Sequence, residues 1–253
     1  MQPYRFSGSP RSFAHVLGMA ICLLLLANTV RLVLRFGFGH DYLMGLGDLF
    51  DFHQEGNIPT FFSVSLAMFG AVLLAIIALE ARHRGSRDAR YWFMLAAGFL
   101  FLAYDEAFQV HERMIKPVAA LLGSSDAGVL HFGWVLPAAL AVMAFGLYFM
   151  RFLLRMPAAT RRRLLTAGAL FLGGCLGMEL IGGQYFASHG DTASYHMLVM
   201  VEEGLEMIGL ATLIHALVSH IAASGETLAF DLQDTQPAVA PALPAILPHV
   251  AHE

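Results

Sequence analysis

Apolar residues fall in long runs separated by short polar links, with no strand-like alternation to compete with them. A helix rises about 1.5 Å per residue, so roughly 20 mostly apolar residues cross a hydrocarbon core of about 30 Å. Six segments reach that length: 14–35, 58–79, 91–110, 129–153, 164–186 and 196–217. The last two are interrupted by acids, Glu179 in one and Glu202, Glu203 and Glu206 in the other. The second has a legible start, because Asn57 suits an N-cap and Pro59 falls in the first turn, where a missing N–H costs nothing. Gly173–Gly174 and Gly182–Gly183 mark the fifth helix as one that packs closely, since small residues let backbones approach. The pattern predicts an all-α, polytopic membrane bundle of about six transmembrane helices occupying residues 1–221. Residues 222–253 change character, and their Pro/Ala-rich stretch 236–248 predicts a disordered tail. No internal repeat is visible.

Charge placement orients the bundle. Arg82, Arg84, Arg87 and Arg90 lie between helices two and three, Arg151, Arg155 and Arg161–Arg163 flank the link between four and five, and Arg5 and Arg11 precede the first helix. Cytoplasmic loops carry the excess of Lys and Arg, so both termini are predicted to be cytoplasmic. The first apolar run is long for a signal peptide and no small-x-small site follows it, so it reads as a membrane helix. Composition agrees: 57% of residues are hydrophobic, only 13% are charged and the mean hydropathy is +0.63, against about 25% charged in soluble domains. A multi-pass protein of the cell membrane, of bacterial inner-membrane type, is expected, with the bilayer as partner and no nucleic acid. The two cysteines, Cys22 and Cys175, sit inside apolar runs and suggest neither a disulfide framework nor a zinc knuckle.

The unusual polar residues share one layer, near the outer face. Asp105 and Glu106 lie near the outer end of the third helix, with His111 and Glu112 just beyond; Glu179 is in the outer third of the fifth; Glu202, Glu203 and Glu206 are in the outer half of the sixth, which His196 ends. His131 opens the fourth helix from that side, Arg31 and Arg35 end the first, and the first outer loop adds Asp41, Asp48, Asp51, His53 and Glu55. A carboxylate at membrane depth costs about 2.5–3.5 kcal/mol on insertion scales, so these groups must be protonated, paired, metal-bound or facing water. By the 3.6-residue period Asp105, Gln109 and Glu112 share one face and Glu106 shares another with Arg113, as an interfacial ion pair. The aromatics Phe36, Phe38, Tyr42, Phe50 and Phe52 predict a short amphipathic helix on the membrane surface. Met178, Met197, Met200 and Met207 read as packing residues, and His131, His189, His215 and His220 as interface, snorkelling or capping groups.

Carboxylates three or four apart with a histidine nearby can supply metal ligands from facing helices, as in bundle di-iron sites, although no true Glu-x-x-His occurs here. The candidate ligands are Asp105, His111, Glu112, Glu179, His196, Glu203 and Glu206, with Arg31, His53 and Glu55 as counter-ion or gating groups. An oxygen-rich set with a few histidines suits iron, manganese or zinc, acting on a lipid-soluble substrate. The same acids would serve a proton- or cation-coupled transporter, or pair with another membrane subunit if the chain is an accessory component. The stretch Leu102–Glu106 is similar to a segment of alkaline-ceramidase-like membrane hydrolases, but the late His-x-x-x-His pair of that family is missing, since His215 and His220 are differently spaced. Desaturase histidine boxes, a mid-membrane lysine, and Walker, nucleophile-elbow and dinucleotide motifs are absent too, so no nucleotide cofactor is expected.

Overall fold

The computed structural model describes residues 9–40, 45–122 and 134–224, all of them inside one compact unit, Phe6–Glu226. The described residues form helices and turns and no strand. Ser9 accepts a hydrogen bond from the Ser12 amide and starts α1 (Pro10–Leu32), which runs on into a π-helical turn, Val33–Gly37. A 3-10 turn, Asp48–Phe50, precedes α2 (Ile58–His83), and Asn57 caps α2 through the Thr60 amide as its sequence suggests. There follow α3 (Ala89–Phe108), α4 (Val110–Leu122), α5 (Val135–Arg155) and α6 (Ala158–Leu172). A second π-helical turn, Gly173–Met178, leads to α7 (Glu179–His189), and α8 (Ala193–Ala223) closes the bundle.

Five stretches are long and apolar enough to cross a membrane: Pro10–Gly37, Ile58–His83, Val135–Arg155, Ala158–His189 and Ala193–Ala223. A sixth is reached if α3 and the start of α4 count as one broken span. The long helices keep exposed apolar faces. On α1, Val16, Met19, Leu23 and Leu26 repeat every three or four residues and are 60–62% exposed, the spacing of one helical face. Opposite them, α1, α2 and α6 pack around α8, and α2 packs along α3. The core has two parts. Leu74, Ile77, Trp92, Phe152, Ile214 and Leu217 fill one half of the bundle, and Ile21, Leu24, Phe52, Tyr195, Val199 and Met207 fill the other.

The basic links sit together at one end. Arg155 at the end of α5 forms an ion pair with Asp88 in the α2–α3 link, His220 on α8 packs on Trp92 at 5.3 Å, and His215 Nδ1 donates to the Pro10 carbonyl at 3.1 Å. The two histidines therefore tie the start of α1 and of α3 to the end of α8. Helix α5 is anchored at both ends, by Val135 and by Phe149, Phe152 and Met156, whereas Leu140, Met143 and Leu147 between them are exposed.

Two expectations need correction. The third span is not one helix through residue 110. Gln109 adopts a left-handed conformation, φ 54° and ψ 44°, and α4 leaves α3 at 78°. Asp105, Gln109 and Glu112 therefore do not lie on one straight face, and the shared face that would pair Glu106 with Arg113 does not exist. The first outer loop forms no amphipathic surface helix among its described residues: Phe52 is buried against Tyr195 and Val199 in the core, and only the 3-10 turn is helical between residues 45 and 57. Tyr42, Asp41, His131 and the tail beyond residue 224 lie outside the described residues. The bundle's last helix runs to Ala223, two residues beyond the boundary expected at 221.

Candidate metal centre

The break at Gln109 builds the centre. The Gln109 amide donates back to the Asp105 carbonyl and ends α3. The Asp105 carboxylate then turns to the new helix: Oδ1 accepts the His111 backbone N–H at 2.9 Å and Oδ2 accepts His111 Nδ1–H at 3.0 Å. A carboxylate in that place satisfies one of the orphan amides of a helix start. It also orients the imidazole, so that Nε2 is the nitrogen turned away from Asp105. That nitrogen faces Glu55, whose Oε1 is 3.7 Å away. Glu112 completes a group: one ligand atom each from Glu55, His111 and Glu112 lie within 4.8 Å of one another. Ligands on one ion, each about 2.0–2.2 Å from it, stand roughly 3–4 Å apart, so small side-chain rotations would close the three on a cation. The Trp134 ring packs on His111 at 5.0 Å and walls one side.

Glu55 is the least comfortable of these groups. Its Oε2 is buried without a hydrogen-bond partner. Burial, reinforced by the negative charges of Glu106 and Glu112, pushes its carboxyl up to about 8, although His111 and Gln109 pull the other way. A cation among Glu55, His111 and Glu112 would relieve that penalty.

Deeper acids continue from this centre into the bundle. Glu106 is in electrostatic range of Glu55 and Glu203. Glu203 and Glu206, on α8, sense Glu106 and Glu179, and Glu206 senses Asp105 as well. Glu179, the first residue of α7, accepts the Trp134 indole N–H at 3.2 Å and hydrogen-bonds with Glu202. Carboxylates from α3, α7 and α8 thus lie within electrostatic range of one another. All of them are half-buried and none is sealed in. Close backbone packing makes this proximity possible. A Cβ on Gly174 would lie 2.8 Å from the Glu202 carbonyl oxygen and 2.8 Å from Glu206 Cγ; one on Gly209 would lie 2.6 Å from the Phe171 amide nitrogen. Cys175 lies beside Glu202, Glu206 and Glu179.

His196 belongs elsewhere. It is buried, with Nε2 2.7 Å from Asp191 Oδ1 and 3.4 Å from Arg35 Nη1, and His53 packs edge-on against its ring at 4.8 Å. His53 therefore sits with His196, while Glu55, two residues later, reaches His111. Arg31 forms a buried ion pair with Asp51 on the outer loop. His189 stacks on Tyr185 at 4.4 Å, outside the trio. Sequence reasoning left Glu106 and Glu202 out of the ligand set; they neighbour the other acids electrostatically and do not belong to the trio. Glu202 had a usable signal, its i, i+4 spacing to Glu206 on an apolar helix. Trp134 had none, whereas Glu55 was legible as a residue that could gate or complete the site.

Residues 16–221 match the family model described as Domain of unknown function (DUF8692). No curated protein and no solved structure matches the chain.

Proposed function

We propose, for a chain that belongs to the DUF8692 family, a multi-pass membrane protein of the cell membrane with a divalent-metal centre on Glu55, His111 and Glu112. Asp105 orients the histidine. Asp105, Glu179, Glu203 and Glu206 form the wall behind the centre, and His196 stands outside it. The observation that carries this reading is the trio of ligand atoms within 4.8 Å, with His111 already held by a carboxylate on its other nitrogen. Second-sphere carboxylates of that kind are the usual partners of metal-bound histidine. Two carboxylates and one imidazole, with room for water, suit manganese or iron, and zinc next. A bound ion of this type would polarise a water or substrate oxygen. Tyr104 and Phe108 are exposed at the end of α3, next to Asp105 and Gln109 in the chain, and these exposed rings support a lipid-soluble substrate.

A proton- or cation-coupled carrier needs a polar route onward from the acids. Below Glu206, α8 continues through Leu210, Leu213, Ile214 and Leu217, about 16 Å of helix, packed against Leu74, Ile77 and Phe152 at 0–7% exposure. That apolar half favours a centre open to one side over a through-path. An accessory-subunit role finds less support, because the acids meet one another inside this chain.

The test is elemental analysis of detergent-purified protein. Wild type is expected to hold close to one equivalent of a transition metal, with His111→Ala and Glu55→Gln losing most of it. Folded wild type that takes up no divalent metal would end the proposal.

A further inference from the structure

Glu55 reaches the centre from a loop that has no regular structure of its own, so something must hold that loop. Asp51 is its anchor. The residue is 1% exposed, and its carboxylate pairs with Arg31, itself 7% exposed, on the last turn of α1. The other carboxylate oxygen accepts the His53 amide at 3.0 Å. Its carbonyl accepts Asn57 Nδ2 at 2.6 Å and the Gln54 amide at 3.1 Å. Asn57 in turn binds the Gln54 carbonyl at 2.6 Å and caps α2. Gly56, with φ 77°, supplies the reversal directly after Glu55, a conformation that favours glycine. Residues 51–57 are thus a closed loop, pinned to α1 at one end and to α2 at the other, with Glu55 on its rim.

We propose that Asp51 is a positioning residue for the metal centre, acting through Glu55, with Arg31 as the fixed point it grips. The inference rests on the metal reading above. It explains why a charged pair is retained in the bundle, where an apolar pair of similar volume would be about as stable. Loss of groups that orient a ligand typically weakens metal binding 10- to 100-fold, and a residue that acts only through Glu55 has nothing left to weaken once Glu55 is gone.

The experiment titrates Co²⁺ into detergent-solubilised full-length protein, read by its visible absorption, in wild type, Asp51→Asn, Glu55→Gln and the double variant. Asp51→Asn is expected to raise the Co²⁺ dissociation constant at least tenfold, and to add less than twofold in the Glu55→Gln background. Because Asp51→Asn leaves the Arg31 charge buried and can unfold the chain, Arg31→Met/Asp51→Asn is measured alongside and should show the same loss. Equal factors in both backgrounds would overturn the positioning role, as would unchanged affinity in both anchor variants. Wild type that binds no Co²⁺ or other divalent ion would instead overturn the metal reading beneath it, so the two failures are told apart.

Discussion

Two acids, Asp105 and Glu55, carry most of what is specific about this chain, and each makes a checkable statement. Asp105 has two duties, capping α4 and holding His111. Asp105→Asn keeps an acceptor for the amide but loses the charge on the imidazole. It should weaken metal binding 10- to 100-fold with little loss of stability, whereas Asp105→Ala should also lower stability by about 1 kcal/mol through the lost cap; metal titration and thermal unfolding separate the two. Glu55, with its carboxyl raised to about 8, predicts a pH effect. Between its ordinary value of 4.5 and about 8 the folded protein binds a proton that the unfolded chain has released. The metal-free protein should therefore lose stability as pH rises through that window, by at most about 1.4 kcal/mol per pH unit from this group. Glu55→Gln should flatten that part of the profile, measured as melting temperature against pH in chelator. Bound metal displaces the proton, so affinity should rise with pH through that window.

Helices show how far the pattern of residues could be read. Apolar length marked the spans, Asn57 and Pro59 marked the start of α2, and the paired glycines marked α6 and α7 as close-packed. The break after α3 was hidden because Gln109 is neither glycine nor proline, and a left-handed glutamine leaves no mark in hydropathy. The π-helical turn at Gly173–Met178 was hidden although it holds three glycines, because glycines in an apolar helix read equally as close-packing positions. Such turns recur at functional sites, and this one leads directly into Glu179. The packing beside it predicts a sharp contrast. Gly174→Ala would press a methyl onto the Glu202 carbonyl and Glu206 and should cost about 1–3 kcal/mol, read as a lower melting temperature in detergent. Gly98→Ala on α3 meets nothing within 4 Å and should be neutral or gain about 0.5–1 kcal/mol from helix propensity.

At the level of the whole molecule, helix length and arginine placement predict a layer of acids but not how that layer divides. Heights along helices place Glu179, Glu203, Glu206, Asp105 and His196 at one level. They do not say which way each points, and His196 turned to Asp191 and Arg35 while Glu55 turned inward to His111. One half of the bundle is an apolar core built on Leu74, Phe152 and Leu217, and the other combines a second apolar cluster with the carboxylates. That asymmetry makes the bundle a scaffold for a centre near one face. The decisive measurement is anomalous X-ray diffraction from crystals of the full-length protein soaked in Mn²⁺. The account predicts one strong peak within about 2–2.5 Å of His111 Nε2 and of oxygens from Glu55 and Glu112. No peak at saturating Mn²⁺, or a peak confined to Glu203 and Glu206 with His111 unligated, would contradict it.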